Sequence, residues 1–401
     1  MMKFTARDRL KLLSGASAYM LTGCGGSSGS SSTPPPTSVT PPPPPATGNT
    51  EPLTEGLFRD QFRNNFKVGG ALTSAQINEN DINSTLAASQ LNSVTPAYEM
   101  KANVIAPTEG VFDFDQADRV VDWALENDIE IRGHALVWHA STPDYFYEGT
   151  RDQIRARLEN YIQTVVEHFR GRVQIWDVVN EVVSVDIFRG DGNGVGPDRR
   201  SRWFEAVGNA DYIDWAFQAA RNADPDALLF LNEYSTEHPI KGPWMLEILQ
   251  RLQDRNVPID GVGHQFHLFL ESDPAELMQA IDNVDNQFMG LQQHVTELDM
   301  DFYNDPGTCW DSQTNCDADL GPTPPPAMIA TQAEVFRAVF QGLQQRSSVT
   351  SVSTWGVTDN ESWLNRRPIE RFNYPLMFDR DGEAKPAFWA VVDPDYEIPT
   401  E

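Results

Sequence analysis

Two glutamates stand where an apolar run gives out. Residues 174–181 close on Val178-Val179-Asn180-Glu181, and residues 294–299 close on Val295-Thr296-Glu297-Leu298-Asp299. A carboxyl group at the end of an apolar strand loses hydration, which raises its pKa and keeps it protonated as a general acid. A second carboxylate on a roughly opposite strand can stay ionised and attack. One such glutamate is often only a salt-bridge partner, so the company the pair keeps decides the matter. The other runs carry or lead into Lys101, His134, Trp138-His139, Gln265, His267, Trp355 and Trp363. Indole faces suit the C–H faces of sugar rings, and amides and imidazoles suit hydroxyls, so these residue types together point to a carbohydrate.

The elements that must position these residues repeat along the chain. Apolar runs occupy 66–72, 92–98, 129–138, 174–181, 228–234, 261–267, 294–299 and 352–357, and amphipathic stretches such as 152–170, 203–222 and 333–346 lie between them. Consecutive apolar residues, as in Ile175-Trp176-Asp177-Val178-Val179, fit parallel strands covered on both faces. Eight strand–helix units predict an α/β fold, a (β/α)8 TIM barrel forming a single catalytic domain, with function at the C-terminal strand ends. An open doubly wound sheet would want a glycine-rich phosphate loop after the first strand, and Gly69-Gly70-Ala71 is a poor match.

The remaining composition narrows partners and compartment. In 401 residues, Lys plus Arg number 30 and Asp plus Glu 58, a formal charge of −28. Such a surface repels nucleic acid and anionic membrane but leaves a neutral ligand alone. Lys3, Arg7, Arg9 and Lys11 precede a short apolar stretch at 12–21 that ends in Leu21-Thr22-Gly23-Cys24. The stretch is too short to span a bilayer and reads as an export signal of residues 1–24. Its ending resembles the bacterial lipoprotein signal, which implies a lipid on Cys24 and an outer-membrane or cell-surface location; periplasmic or secreted protein is the alternative. A Gly/Ser/Pro/Thr-rich spacer follows at 25–50, then the catalytic domain at 51–396. Export makes Cys309 and Cys316, with six residues between them, a disulfide candidate.

The motifs carry a resemblance to a known family. Glu99-Met100-Lys101, His134-Ala135-Leu136-Val137-Trp138-His139, Trp176-Asp177-Val178-Val179-Asn180-Glu181, Val295-Thr296-Glu297-Leu298-Asp299 and Trp355-Gly356-Val357-Thr358-Asp359-Asn360 occur in order. Together they resemble the glycoside hydrolase family ten xylanases over roughly residues 58–392. The resemblance implies a retaining endo-β-1,4-xylanase with Glu181 as acid/base and Glu297 as nucleophile. It implies that Asn180 binds the sugar 2-hydroxyl and that His267 holds the nucleophile with Asp299 behind it. Lys101, His134, Trp138 and Gln265 then contact the sugar on the non-reducing side of the cut, with Trp355 and Trp363 as its aromatic wall. No cofactor and no metal are implied. The expected partner is xylan or a related β-glycan, the expected state a monomer, and membrane association only through the N-terminal lipid.

Two departures from that pattern bear on substrate. A Glu-Asn pair typical before the Glu-Met-Lys motif is replaced by Ala97-Tyr98, which removes polar recognition of the next sugar; Tyr98 can substitute by stacking or through its hydroxyl. The long insert at 304–326, with both cysteines and Trp310, is expected on the active face, walling the leaving-group side or serving as decoration. Asp191-Gly192-Asn193-Gly194 resembles part of a calcium loop without its later glutamate, and reads as a turn. His134, His139, His264 and His267 suggest zinc only in isolation. Competing functions are a hydrolase of another or mixed-linkage β-glycan, and a tethered glycan-binding barrel without catalysis.

Overall fold

The computed structural model describes residues 56–78, 80–184 and 196–399. The signal, the spacer, Cys24 and the Asp191 turn lie outside the described residues. Nine strands occur among those described: β1 (Lys67–Leu72), β2 (Ser93–Pro96), β3 (Glu130–Trp138), β4 (Ile175–Asn180), β5 (Leu228–Glu233), β6 (Gly261–His264), β7 (His267–Phe269), β8 (Gln292–Asp301) and β9 (Val349–Thr354). All pair in parallel, in the order β6, β5, β4, β3, β2, β1, β9, β8, and β6 pairs back onto β8 to close an eight-stranded ring.

The expected sixth strand at 261–267 is corrected to two pieces. Phe266 takes a left-handed backbone (φ 50°), which breaks the ladder after β6. β7 then resumes against the upper part of β8, where His267 faces Asp299. The expected helix at 203–222 is also two helices, Arg202–Val207 and Asp211–Ala223, because Gly208 ends the first in a left-handed conformation (φ 88°). The last strand sits earlier than expected, at Val349–Thr354, so Trp355 lies just past its end.

The local sequence explains the helices that back the barrel. Arg151–Phe169 opens on a capping box in which Thr150 and Gln153 bond each other's backbone. Its Ile154, Leu158, Tyr161, Ile162, Val165 and Phe169 recur at helical spacing and are buried. Pro274–Gln287 is capped by Asp273 and carries proline in its first turn. Strand β4 is buried at every residue, as a strand covered on both faces requires.

The ring slips once at its base, between β8 and β9 at Gln293 and His294, and more often towards the C-terminal ends. The upper register shifts occur between β3 and β4 past His134, between β4 and β5 past Asp177, and between β8 and β9 past Val295. Each shift inserts an unmatched residue and breaks strict alternation of side chains. The residues that follow the shifts are those singled out above.

Candidate active site

Glu181 and Glu297 meet at the C-terminal mouth of the ring. Glu181 follows β4 in a left-handed backbone (φ 58°), a conformation that costs a non-glycine residue about 1–3 kcal/mol and so must be enforced by its surroundings. Its N–H donates to the Asn232 carbonyl of β5 at 2.9 Å, which holds that turn. Asn180 is paired with Asn232 across β4 and β5. The Asn232 amide donates to Asn180 Oδ1 at 2.9 Å and to Glu297 Oε1 at 2.8 Å, and accepts from Thr296 Oγ1 at 2.7 Å. Gln265 Nε2 donates to Asn180 Oδ1 at 3.2 Å. Gly263 is glycine for the same reason: a Cβ there would sit 2.2 Å from Asn232 Oδ1.

The two carboxyls are tuned in opposite directions. Burial pushes Glu181 up; the Arg199 cation opposes this, and the charges of Glu233 and Glu297 reinforce it. Burial would raise Glu297 too, but the hydrogen bond from His267 and the nearby His134 and His267 hold it below the ordinary carboxylate range. His267 donates from Nε2 to Glu297 Oε2 at 3.2 Å and from Nδ1 to Asp299 Oδ1 at 2.7 Å. Burial works against its charge, yet Asp299 and Glu297 lift His267 to about 10, so it is an imidazolium at neutral pH. Trp363 Nε1 donates to the other Asp299 oxygen at 2.8 Å.

On the opposite flank, Lys101 Nζ lies 4.8 Å from the Trp138 ring centroid, 4.7 Å from that of Tyr98 and 5.9 Å from that of Trp355. Burial lowers Lys101 to about 8 against the pull of Glu297, Glu181 and Glu99. His134 donates from Nδ1 to Asp177 Oδ2 at 3.0 Å, and its ring lies 5.2 Å from that of Trp355. The structure thus brings together every expected catalytic and sugar-binding residue. Tyr98 is also there, 57% exposed at the rim.

Cys309 and Cys316 are joined in a disulfide. The insert rises from the C-terminal end of β8, and Trp310, in its short helix Gly307–Ser312, lies 6.3 Å from the Trp363 ring. Among the described residues, metal-like spacing occurs only at Asp305, Cys309 and Cys316, where both sulfurs are in the disulfide and Asp305 is paired with Arg371. The four histidines are spent elsewhere. His264 accepts from Thr236 and donates to Gln293, and burial lowers it to about 4; Arg199 donates to His139 at 3.5 Å; His134 and His267 serve Asp177 and the two carboxylates.

Sequence reasoning missed a buried ionic layer behind Glu181. Glu233 and Lys241 are both fully buried, with Nζ 2.7 Å from Oε1; Glu233 Oε2 also accepts from the Val183 N–H at 2.8 Å. Lys241 sits 3.0 Å from the Tyr234 ring centroid, and Arg199 donates to the Tyr234 hydroxyl at 2.8 Å. One signal was present: Asn232-Glu233 ends its apolar run with the same dipeptide as Asn180-Glu181. Nothing local marks Arg199.

Similarity to known proteins agrees with this geometry. A family profile described as glycosyl hydrolase family 10 matches residues 58–394. The chain is 36% identical over 359 residues to a thermostable celloxylanase of Thermoclostridium stercorarium, spanning 84% of this chain and 86% of that one. It is 36% identical over 341 residues to a beta-1,4-xylanase of Dictyoglomus thermophilum, spanning 83% and 90%. The solved structure of xylanase B from Clostridium stercorarium F9 superposes with a TM-score of 0.75 at 35% identity, covering 84% of this chain and 99% of that one.

Proposed function

The chain belongs to glycosyl hydrolase family 10, and on that premise we propose that it cuts internal β-1,4-xylosidic bonds of xylan with retention, using Glu297 as nucleophile and Glu181 as acid/base. The observation that carries the assignment of roles is the opposite tuning of two buried carboxyls, one raised and one lowered. Glu297, ionised and aimed by His267 and Asn232, attacks the anomeric carbon. Glu181 gives its proton to the departing glycosidic oxygen, which leaves as an alcohol. Its carboxylate then takes a proton from water, the water oxygen bonds the same carbon, and the ester to Glu297 breaks with the carboxylate restored. Asn180, held by Asn232 and Gln265, presents its side chain to the 2-hydroxyl. Lys101, His134, Trp138 and Gln265 bind the sugar beside the cut, under Trp355 and Trp363.

The test is release of reducing ends by the purified domain from xylan, mixed-linkage β-glucan and carboxymethylcellulose, with the product anomer followed by NMR. Release from xylan with a β-anomer formed first is expected. Activity on glucan alone would favour the second reading, a hydrolase of another or mixed-linkage β-glycan, which the exposed Tyr98 ring supports. No activity on any of the three would leave a glycan-binding barrel.

The chain is further proposed to be exported, lipidated at Cys24 and tethered by the 25–50 spacer, acting as a monomer on polysaccharide outside the cell. The basic, apolar and Leu21-Thr22-Gly23-Cys24 segments support this. Cys24→Ser is expected to move the enzyme from the membrane fraction to the soluble one; an unchanged distribution would sink the anchor.

A further inference from the structure

Of the ten tryptophans in the chain, Trp176 and Trp203 belong to the main apolar cluster and Trp123, Trp215, Trp244 and Trp389 pack against it, which leaves four. Those four are Trp138, Trp355, Trp363 and Trp310, and none belongs to the smaller cluster either. Three of them line the mouth beside the carboxylates. The fourth, Trp310, comes from the stapled insert. The insert has an apolar footing of its own, because Leu320 packs on the small cluster of Phe302, Tyr303 and Tyr374. The insert thus has apolar packing that does not involve Trp310, and the Trp310 ring meets that of Trp363.

The insert also holds that indole in a fixed place. Its base is pinned by a buried ion pair between Asp305 and Arg371, and Arg371 donates to the Asp317 carbonyl at 3.2 Å. Gln313 donates to the Pro368 carbonyl at 3.1 Å, and Phe372 N–H donates to Asp319 Oδ1 at 3.1 Å. These partners lie just past Trp363 in sequence, so both tryptophans stand on segments laced to each other. With the Cys309–Cys316 disulfide beside it, Trp310 is half-buried on a pinned backbone, which reduces the ordering cost when a ligand arrives.

We infer that Trp310 is a further carbohydrate platform: it stacks on a sugar ring of a β-1,4-linked chain next to the ring held at Trp363, and so sets how long a substrate the cleft reads. This rests on the reading of the barrel as a β-1,4-glycan hydrolase. The residue determines specificity and touches no reacting atom.

The experiment compares wild type, Trp310→Ala and Trp310→Phe on xylo-oligosaccharides of increasing length, with bond-cleavage frequencies on xylohexaose and a thermal melt of each protein. Trp310→Ala is expected to lower the ratio of kcat/KM on xylohexaose to that on an aryl xylobioside about ten-fold, the equivalent of roughly 1.4 kcal/mol for one aromatic contact, and to shift which bond is cut. Trp310→Phe should recover most of that ratio. If Trp310→Ala does not fold, Trp310→Leu, which keeps apolar bulk without an aromatic face, decides by the same two readouts, with the same loss expected. An unchanged ratio and cleavage pattern would overturn the inference, as would a change seen only with substituted xylan, which would mean that Trp310 meets side groups instead of the main chain. Wild type that cuts none of these substrates would instead refute the hydrolase reading itself.

Discussion

Asn232 gives the sharpest test of how the carboxylates are held. It is fully buried, and its side chain spends both amide donors and its carbonyl on Asn180, Glu297 and Thr296. Asn232→Ala removes the second donor to Glu297 and leaves only His267. A hydrogen bond to a charged group contributes about 1.5–3 kcal/mol, so kcat/KM should fall about 10- to 150-fold. The direction on the pH axis follows from the same bond. Glu297 is held below the ordinary range, so losing a donor raises it. The acid limb of kcat/KM must then move to higher pH, while the alkaline limb, set by Glu181, stays. The assay is kcat/KM on xylan oligosaccharides across pH, with circular dichroism to confirm folding. A folded variant within about three-fold of wild type, with an unmoved acid limb, would refute the reasoning.

Other outcomes follow from the same geometry. Glu181→Ala should lower activity on xylan by about 10²–10⁴-fold but spare much of the first step on substrates whose leaving group needs no proton; equal loss on both would contradict its role. His267 has a folded pKa of about 10 against an ordinary 6.5, so its charge stabilises the fold fully below pH 6.5, and this is lost as pH rises through 10. Melting temperature should therefore decline more steeply with alkalinity in wild type than in His267→Gln, and parallel curves would count against the imidazolium. Lys241→Met strands a buried Glu233 carboxylate and should cost about 3–5 kcal/mol, with partial recovery on adding Glu233→Gln; a melt unchanged by the single substitution would contradict the pair. Tyr98→Asn should change the sizes of products from linear xylan, since the exposed ring is replaced by an amide; identical profiles would remove Tyr98 from substrate reading.

The barrel was legible because strand burial on both faces writes itself as unbroken apolar runs, and Val178-Val179-Asn180-Glu181 shows the break in apolarity where the strand leaves the ring. Glu297 and Asp299 were legible likewise. The break at Gln265-Phe266 was not, because a phenylalanine with φ 50° carries none of the residue types that mark turns. The Arg199, Tyr234, Glu233 and Lys241 layer was hidden for another reason. Its members come from three separate places, Arg199, Glu233-Tyr234 and Lys241, and meet only through tertiary packing, so no spacing records them. The Cys309 and Cys316 pairing could be read from eight consecutive residues, while Arg371, which pins the same insert, stands more than fifty residues later.

The register shifts near the mouth divide the barrel by height. Below them the parallel ladders run in step apart from one slip of β8 against β9 at Gln293 and His294, and Gly261 to His264 are matched on both sides by β5 and β8. Above them β7 meets only β8, and the neighbouring ladders slip out of step. Sequence change above that line therefore alters what the cleft reads without asking the lower ring to repack. An addition as long as the 304–326 insert enters above it, which makes the mouth the part of this protein most open to evolutionary variation and the base the part that inherits the fold.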